Sequence, residues 1–181
     1  HDLKPLKLAS DGPFGKFDEA QLQRGFAVYQ GVCASCHAIK QVAYRDLEKL
    51  GYNEAEVKAI AAKATISAKD PLTGEVKDRP GLPADKFPPV VYAGVGNPPD
   101  LSLITKARHG GAAYVYSLLT GYEASQPAEL VKKFPDSKTG ENMHYNPYFA
   151  NLNIAMAPPL ASDDMVTYSD GTKATKDQMA Q

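Results

Sequence analysis

The sequence predicts a mainly α-helical fold with long loop insertions, on three observations. Apolar residues recur at helical intervals in several separate segments. Glycine and proline number 14 each among 181 residues, slightly above ordinary usage, so the helices are joined by long irregular connections. Both cysteines of the chain lie in Cys33-Ala34-Ser35-Cys36-His37, the CxxCH pattern through which a c-type haem is attached. A haem held there substitutes for part of the apolar core that the loops do not supply.

The chemistry of that motif is specific. Two thiols three positions apart can each add to a haem vinyl group, and the imidazole of His37 then reaches the iron from one face. A thioredoxin-like CxxC belongs at a strand-to-helix junction in an alternating βαβ pattern, and a structural zinc site needs four ligands. Neither context is present. There is no second CxxCH and no thiol left for a disulfide, so the expectation is one haem c, joined through Cys33 and Cys36.

Composition bounds the remainder. Apolar residues make up 43% and charged residues 23%, with a formal net charge of −1. Nucleic-acid binding calls for a basic face, which such a balance does not offer. The length suits a single domain, 1–181. With no run of about 18 apolar residues, the chain as given is expected neither to span a membrane nor to carry a signal peptide. It starts at His1 and reads as processed or trimmed. Attachment of haem to CxxCH takes place on the outer side of an energy-transducing membrane, which points to a periplasm or an intermembrane space.

Residues 1–17, with Pro5, Gly12, Pro13 and Gly15, read as an extended lead-in. From Asp18, a suitable N-cap, Leu22, Phe26 and Tyr29 share one face of a helix. Gly25 costs about 1 kcal/mol of helix propensity against alanine, a cost that a closely approaching helix would justify. Gly25, Tyr29 and Cys33, spaced by four, put a backbone notch, an aromatic ring and the haem anchor in line. This is the register of the leading helix in a class I cytochrome c-like fold.

Asn53 and Glu56 form a capping-box pattern ahead of an apolar face of Val57, Ile60, Ala61 and Ala64. Residues 65–99 contain seven prolines and read as a long excursion. Gly94-Val95-Gly96 lacks the βαβ context of a dinucleotide loop and carries no such function. Asp100–Arg108 reads as a short helix with Leu101, Ile104 and Ala107 inward, ended by Gly110 and Gly111. A further helix runs from about Ala112 to Gly121. Arg108 and His109 sit at the joint. There a guanidinium either serves as a surface partner of the helix end or pairs with a haem propionate, and His109 fits a hydrogen-bonding role.

The sixth iron ligand has several candidates. Of the four methionines, Met156 lies in Ala155-Met156-Ala157-Pro158-Pro159, where small neighbours admit the ring and two prolines stiffen the loop. Met143 ranks second, then His144 or His109. A thioether ligand favours ferrous iron and raises the reduction potential, and two filled axial positions leave no place for oxygen or peroxide. Thr175 and Gln178 resemble the capped start of a helix over 175–181.

An ordered set of motifs carries a family resemblance. Gly25-Phe26-Ala27-Val28-Tyr29 leads into the CxxCH. Val42-Ala43-Tyr44-Arg45, Arg79-Pro80-Gly81, Pro98-Pro99-Asp100-Leu101-Ser102 and Arg108-His109-Gly110-Gly111 follow. Tyr116-Ser117-Leu118-Leu119-Thr120-Gly121-Tyr122, Asn146-Pro147-Tyr148-Phe149 and Met156-Ala157-Pro158-Pro159 complete it. Together, from about Phe17 to Thr175, they resemble the cytochrome c1 family, the haem subunit of the cytochrome bc1 complex (quinol–cytochrome c oxidoreductase). The resemblance implies thioether bonds at Cys33 and Cys36, axial ligands His37 and Met156 on a low-spin haem, and Arg108 near a propionate. It implies electrons received from the Rieske iron–sulfur protein and delivered to cytochrome c, with cytochrome b and the membrane as neighbours of the full-length protein. It places the chain on the periplasmic face of the inner membrane, or the intermembrane-space side in mitochondria.

Such a protein is an electron carrier and not an enzyme on its own, catalytic only as a subunit of the reductase. Two departures stand out. Members end in a membrane-anchoring helix, so 175–181 reads as the start of a truncated anchor and the chain as a soluble fragment. The connection from Phe87-Pro88-Pro89 to Pro98-Pro99-Asp100 is shorter than in many members. A free, soluble class I cytochrome c shuttle is the alternative, and a haem enzyme or gas sensor with an open iron site a third reading. Asp163, Asp164 and Asp170 follow the Met156 loop and are candidates for greeting a basic cytochrome c.

Overall fold

The computed structural model describes residues 1–13 and 15–181; Phe14, within the predicted lead-in, lies outside the described residues. The fold is mainly helical with little sheet. Its elements are α1 (Glu19–Gly31), α2 (Glu54–Ala62), β1 (Thr65–Lys69), β2 (Val76–Pro80), α3 (Ile104–Ala107), α4 (Gly111–Thr120), α5 (Ala128–Lys133), β3 (His144–Tyr145), β4 (Asn153–Ile154) and α6 (Lys176–Ala180). Short 3-10 turns at Cys33–Ser35, Tyr44–Leu50 and Pro135–Ser137 fill out the helical content. Among the described residues no helix is long and apolar enough to cross a membrane.

Helix α1 divides two apolar cores. Residues two apart on a helix point about 200° from one another, and this chain uses that geometry at Phe26 and Val28. Phe26 packs with Tyr44, Leu47, Val57, Ala61 and Phe87. Val28 packs with Leu160, Tyr168, Ala174 and Met179, so that α1 and α6 meet in the second core. The Asp18 carboxylate accepts from the Gln21 amide and starts α1 as expected. At Gly25, however, no helix approaches among the described residues: a Cβ there would meet nothing within 4 Å. Gly25 instead borders an open cavity of about 280 Å³ with Leu8, Phe17 and Leu22.

Helix α2 follows its sequence pattern. Asn53 Oδ1 accepts from the Glu56 amide at 2.8 Å while Glu56 Oε1 accepts from the Asn53 amide at 3.0 Å. Val57 and Ala61 are fully buried, with Ile60 and Ala64 packed beside them.

Three sequence expectations need correction. The 65–99 excursion is not wholly irregular, because β1 and β2 pair antiparallel, with Thr65 opposite Pro80 and Lys69 opposite Val76. Its next segment folds back along Val42–Arg45 through Phe87 N to Val42 O at 2.9 Å and Tyr44 N to Asp85 O at 2.9 Å. This seats Phe87 face to face on Tyr44, ring centroids 4.1 Å apart. Arg79 locks the fold-back with two bonds to Asp85, 2.7 and 2.8 Å. Second, α3 is confined to Ile104–Ala107, and Ala107 is exposed. Asp100 and Ser102 instead spend their side chains on the Lys40 and Gln41 amides, which holds 100–103 out of the helix. Third, Gly110 and Gly111 begin α4 as well as ending α3, Gly110 taking the left-handed N-cap position at φ +90°. The expected stop of α4 at Gly121 holds.

The lead-in is extended but strapped down. Lys4 N donates to the buried Ser117 Oγ at 2.9 Å, and Lys4 Nζ donates to Thr120 O at 2.9 Å, where it serves the C-terminal carbonyls of α4.

Candidate functional site

Beyond α1 the chain tightens. The amides of Cys36 and His37 both bond the Cys33 carbonyl, at 3.1 and 2.9 Å, so the two cysteines and the histidine occupy a single turn. Both thiols are free and half-buried. Burial, and then the neighbouring Cys36, push the Cys33 thiol up.

His37 is oriented by its ring. Nδ1 lies 2.8 Å from the Pro99 carbonyl. A carbonyl only accepts, so Nδ1 carries the proton, and in the neutral imidazole it is then Nε2 that holds the lone pair. This is the arrangement by which proteins aim a metal-binding imidazole, its far nitrogen pinned to a backbone oxygen. The His37 carbonyl accepts in turn from the Tyr29 hydroxyl at 2.8 Å. Burial, with Cys33 as a smaller contributor, pushes Tyr29 up to about 12, so that hydroxyl remains a donor at neutral pH.

Residues 99–102 run beside 37–41 as a strap, with Leu101 N to Ala38 O at 2.9 Å and Asp100 Oδ2 accepting from Lys40 N at 2.8 Å. Pro99 has no amide hydrogen to spend, and its carbonyl is the one that meets the imidazole.

Met156 lies just past β4, in a bend between half-buried Ala155 and exposed Ala157. β4 is paired to β3, His144 opposite Ile154 and Tyr145 opposite Asn153. The Tyr122 hydroxyl donates to the Met156 carbonyl at 2.8 Å, and burial pushes the Tyr122 pKa up. Asn146, fully buried, donates Nδ2 to Leu118 O at 2.8 Å and so ties the β3–β4 connection to α4.

The His37 and Met156 sides are joined by one short segment. Gly96, at φ +91°, lies so close to Ala155 that a Cβ would stand 3.1 Å from the alanine methyl. Three residues later Pro99 holds His37. Three residues of chain span at most about 11 Å, so the neighbour of Met156 and the partner of His37 bracket one small region. A free imidazole nitrogen, two free thiols and a thioether without protons form a donor set that fits an iron porphyrin.

The other candidates lie elsewhere. Met143 and His144 line a cavity of about 450 Å³ with Glu123, Gln126, Tyr145 and Lys176; its walls include Tyr122 and Pro158 beside the Met156 bend, but none of Cys33, Cys36, His37 or Met156 itself. His109 and Arg108 are exposed at the joint between α3 and α4. The Arg108 guanidinium makes a 3.4 Å bond to Ala107 O. The three acids after the Met156 loop serve turns: Asp163 accepts from Lys176 N, Asp164 from Ala174 N, and Asp170 from Thr172 N.

The sequence places Pro99 and Tyr122 in family motifs without giving either a role at the site, and it gives Gly94-Val95-Gly96 no function; glycine is the residue type that permits a close backbone approach such as Gly96 makes to Ala155.

Taken together, a mainly helical chain that presents a free imidazole nitrogen directly after two unpaired thiols falls in the class of haem proteins. Comparison with known sequences narrows this. The model of the Cytochrome C1 family matches residues 8–181, and the chain belongs to that family. It is 44% identical to the cytochrome c1 of Rhodospirillum rubrum over 94% of this chain and 68% of that protein. It is also 44% identical to the mitochondrial cytochrome c1 heme protein of Saccharomyces cerevisiae, over 94% of this chain and 55% of the relative. A Candida albicans relative, 42% identical over 99% of this chain and 63% of its own length, bears the name cytochrome b-c1 complex catalytic subunit. The chain thus spans between about half and two thirds of these relatives.

Proposed function

We propose that this chain is the electron-carrying haem domain of a cytochrome bc1 complex, receiving electrons from the Rieske iron–sulfur protein and passing them to cytochrome c. The observation that carries the reading is the 2.8 Å contact between His37 Nδ1 and Pro99 O, which leaves Nε2 free one residue after Cys36. One haem c, attached through Cys33 and Cys36 in a class I cytochrome c-like fold, supplies a one-electron iron couple when bound.

The chain's own residues hold and tune that group. His37 would hold the iron through Nε2, with the Pro99 carbonyl fixing its tautomer. Met156 would hold it through its thioether. The Gly96–Ala155 contact, which joins the segment holding His37 to the neighbour of Met156, supports Met156 over Met143 and His144. Arg108, exposed and bonded to one backbone oxygen, has donors to give to a propionate. With His37 and Met156 both holding the iron, the site would exchange electrons and bind no substrate, and catalysis would belong to the whole reductase. In that complex cytochrome b and the membrane are neighbours, and the domain faces the periplasm or the intermembrane space.

The test is a pair of spectra, oxidised and reduced, on protein matured by cells with an intact haem-attachment system. Haem that survives acid extraction, a sulfur-to-ferric-iron band in the far red, and reduction by a Rieske fragment are the expected results. A colourless polypeptide, or ferrous protein that binds carbon monoxide rapidly and stoichiometrically, refutes the proposal.

A further inference from the structure

We infer that Tyr122 is a positioning residue for Met156: by holding the Met156 carbonyl, its hydroxyl sets how firmly the thioether is presented to the iron. The inference rests on the reading of Met156 as the axial ligand.

The geometry is as follows. Tyr122 stands directly after Gly121, the residue that ends α4. At Gly121 a Cβ would be 2.5 Å from the Ser117 carbonyl, so the chain leaves the helix along a fixed path. One residue beyond, the Glu123 amide bonds the Tyr145 carbonyl at 3.3 Å. Tyr122 is therefore anchored to α4 on one side and to β3 on the other. From this anchored position its hydroxyl crosses to Met156 O at 2.8 Å.

The Met156 bend needs such a tether. β3 and β4 pair over only two residues each, and their connection includes Leu152 in the left-handed region at φ +70°, a conformation unfavourable for a leucine. A ladder so short leaves the bend beyond Ile154 without further sheet bonds. Pro158 and Pro159 limit the backbone on the far side but supply no amide donors. The Tyr122 bond thus connects the ligand's own peptide group to the helical body of the protein. Each excursion of the thioether away from the iron that moves the Met156 backbone breaks that bond. Its loss shifts the equilibrium between ligated and displaced Met156 toward displacement.

The experiment titrates imidazole into the ferric holoprotein and follows loss of the sulfur-to-iron band, in wild type, Tyr122→Phe and Val57→Ala. Phenylalanine keeps the ring and removes only the hydroxyl. Breaking one hydrogen bond to a partly buried carbonyl corresponds to about a tenfold change in an equilibrium constant. Tyr122→Phe is accordingly expected to lose the band at about tenfold lower imidazole, and to show a lower midpoint potential, because the ferrous state depends most on the thioether. Val57→Ala lies in the Phe26 core, which includes neither Tyr122 nor Met156, and lowers Tm; it is expected to titrate like wild type, which separates positioning from general destabilisation.

Superimposable imidazole curves and equal potentials for Tyr122→Phe and wild type, with the band present in both, overturn the positioning role and leave Met156 as ligand. A band that persists in Met156→Ala overturns the ligand assignment itself and the inference with it.

Discussion

Asn146 offers the sharpest test of how the β3–β4 connection is held. Its side chain is fully buried, Nδ2 donating to Leu118 O at 2.8 Å and Oδ1 accepting from Tyr148 N at 3.1 Å. Asn146→Ala removes both bonds and leaves a small void. Two bonds at roughly 1 kcal/mol each, with the void adding a further ~1 kcal/mol, give a loss of about 3 kcal/mol. In a chain of this length that corresponds to a fall in Tm of roughly 6–12 °C.

Asn146→Asp is more informative, because it retains the acceptor for Tyr148 N and replaces the donor that faced Leu118 O. An ionised carboxylate there meets a carbonyl oxygen away from water, so its folded pKa rises above the unfolded value of about 3.9. The sign is opposite to that of a paired aspartate. The penalty is fully present above the raised folded pKa, shrinks as pH falls through it, and is gone below about pH 3.9, where the protonated acid can donate to Leu118 O. Melting followed by far-UV circular dichroism between about pH 4 and pH 8, each point referred to wild type, reads this directly. A deficit equal at both ends of the range refutes the buried-donor account of Asn146.

Four further outcomes are expected. Val57→Ala removes two carbons from a fully buried site; at about 0.8 kcal/mol per carbon plus a cavity term, it costs about 2–3 kcal/mol by denaturant titration. Asn53→Ala removes the Asn53 Oδ1 half of the capping box of α2 and keeps the Asn53 amide bond to Glu56 Oε1; it costs about 1 kcal/mol in the same assay. Asp85 is held down to about 2 by the Arg79 guanidinium and then by the Leu82 amide. The stability it contributes is therefore complete above its ordinary range and lost as pH falls toward that value, so Asp85→Asn lowers Tm at neutral pH and converges on wild type by about pH 2. Met156→Ala lowers the midpoint potential and admits carbon monoxide to the ferrous protein, whereas Met143→Ala leaves both unchanged; redox titration and absorption spectra decide.

How much of this was legible in the sequence depends on the range of the interactions. Local rules place Asp18, the Asn53–Glu56 box and the Thr175–Gln178 cap, where a side chain answers a backbone amide a few residues away, and the Gly121 stop of α4, where the glycine amide answers the Leu118 carbonyl. The hairpin of β1 and β2 was missed although its signals are present. Thr65–Lys69 alternates exposed and half-buried residues, and Asp70 Oδ1 accepts from the Leu72 and Thr73 amides in a turn that reaches Gly74 at φ +74°. The density of prolines around it hid a pattern only five residues long. The length of α3 was overread for the opposite reason. Leu101, Ile104 and Ala107 have helical spacing, but Asp100 and Ser102 were already committed to Lys40 and Gln41, some sixty residues away. Helix propensity says nothing of such a tertiary competitor. Within the site, Cys33, Cys36 and His37 were visible as a motif, while Pro99, Gly96 and Tyr122 act through backbone atoms or across long separations, and backbone partners leave no residue-type signature.

His37 is aimed by a carbonyl of Pro99, its own carbonyl is held by Tyr29, and Met156 is tethered through its carbonyl to Tyr122. Each of these three bonds ends on a backbone carbonyl and none is an ion pair. Salt screens ion pairs and not such bonds, so the orientation of both candidate ligands is insensitive to the ionic strength at which a charged partner comes and goes. An ion pair in the same place would weaken with ionic strength and alter the ligand field along with it. Ionic strength is therefore expected to change the rate of electron transfer to a charged partner through encounter alone, while the midpoint potential hardly moves over the same salt range. A potential that drifts in step with the rate would mean that a charge, and not this neutral scaffold, governs how the ligands are held.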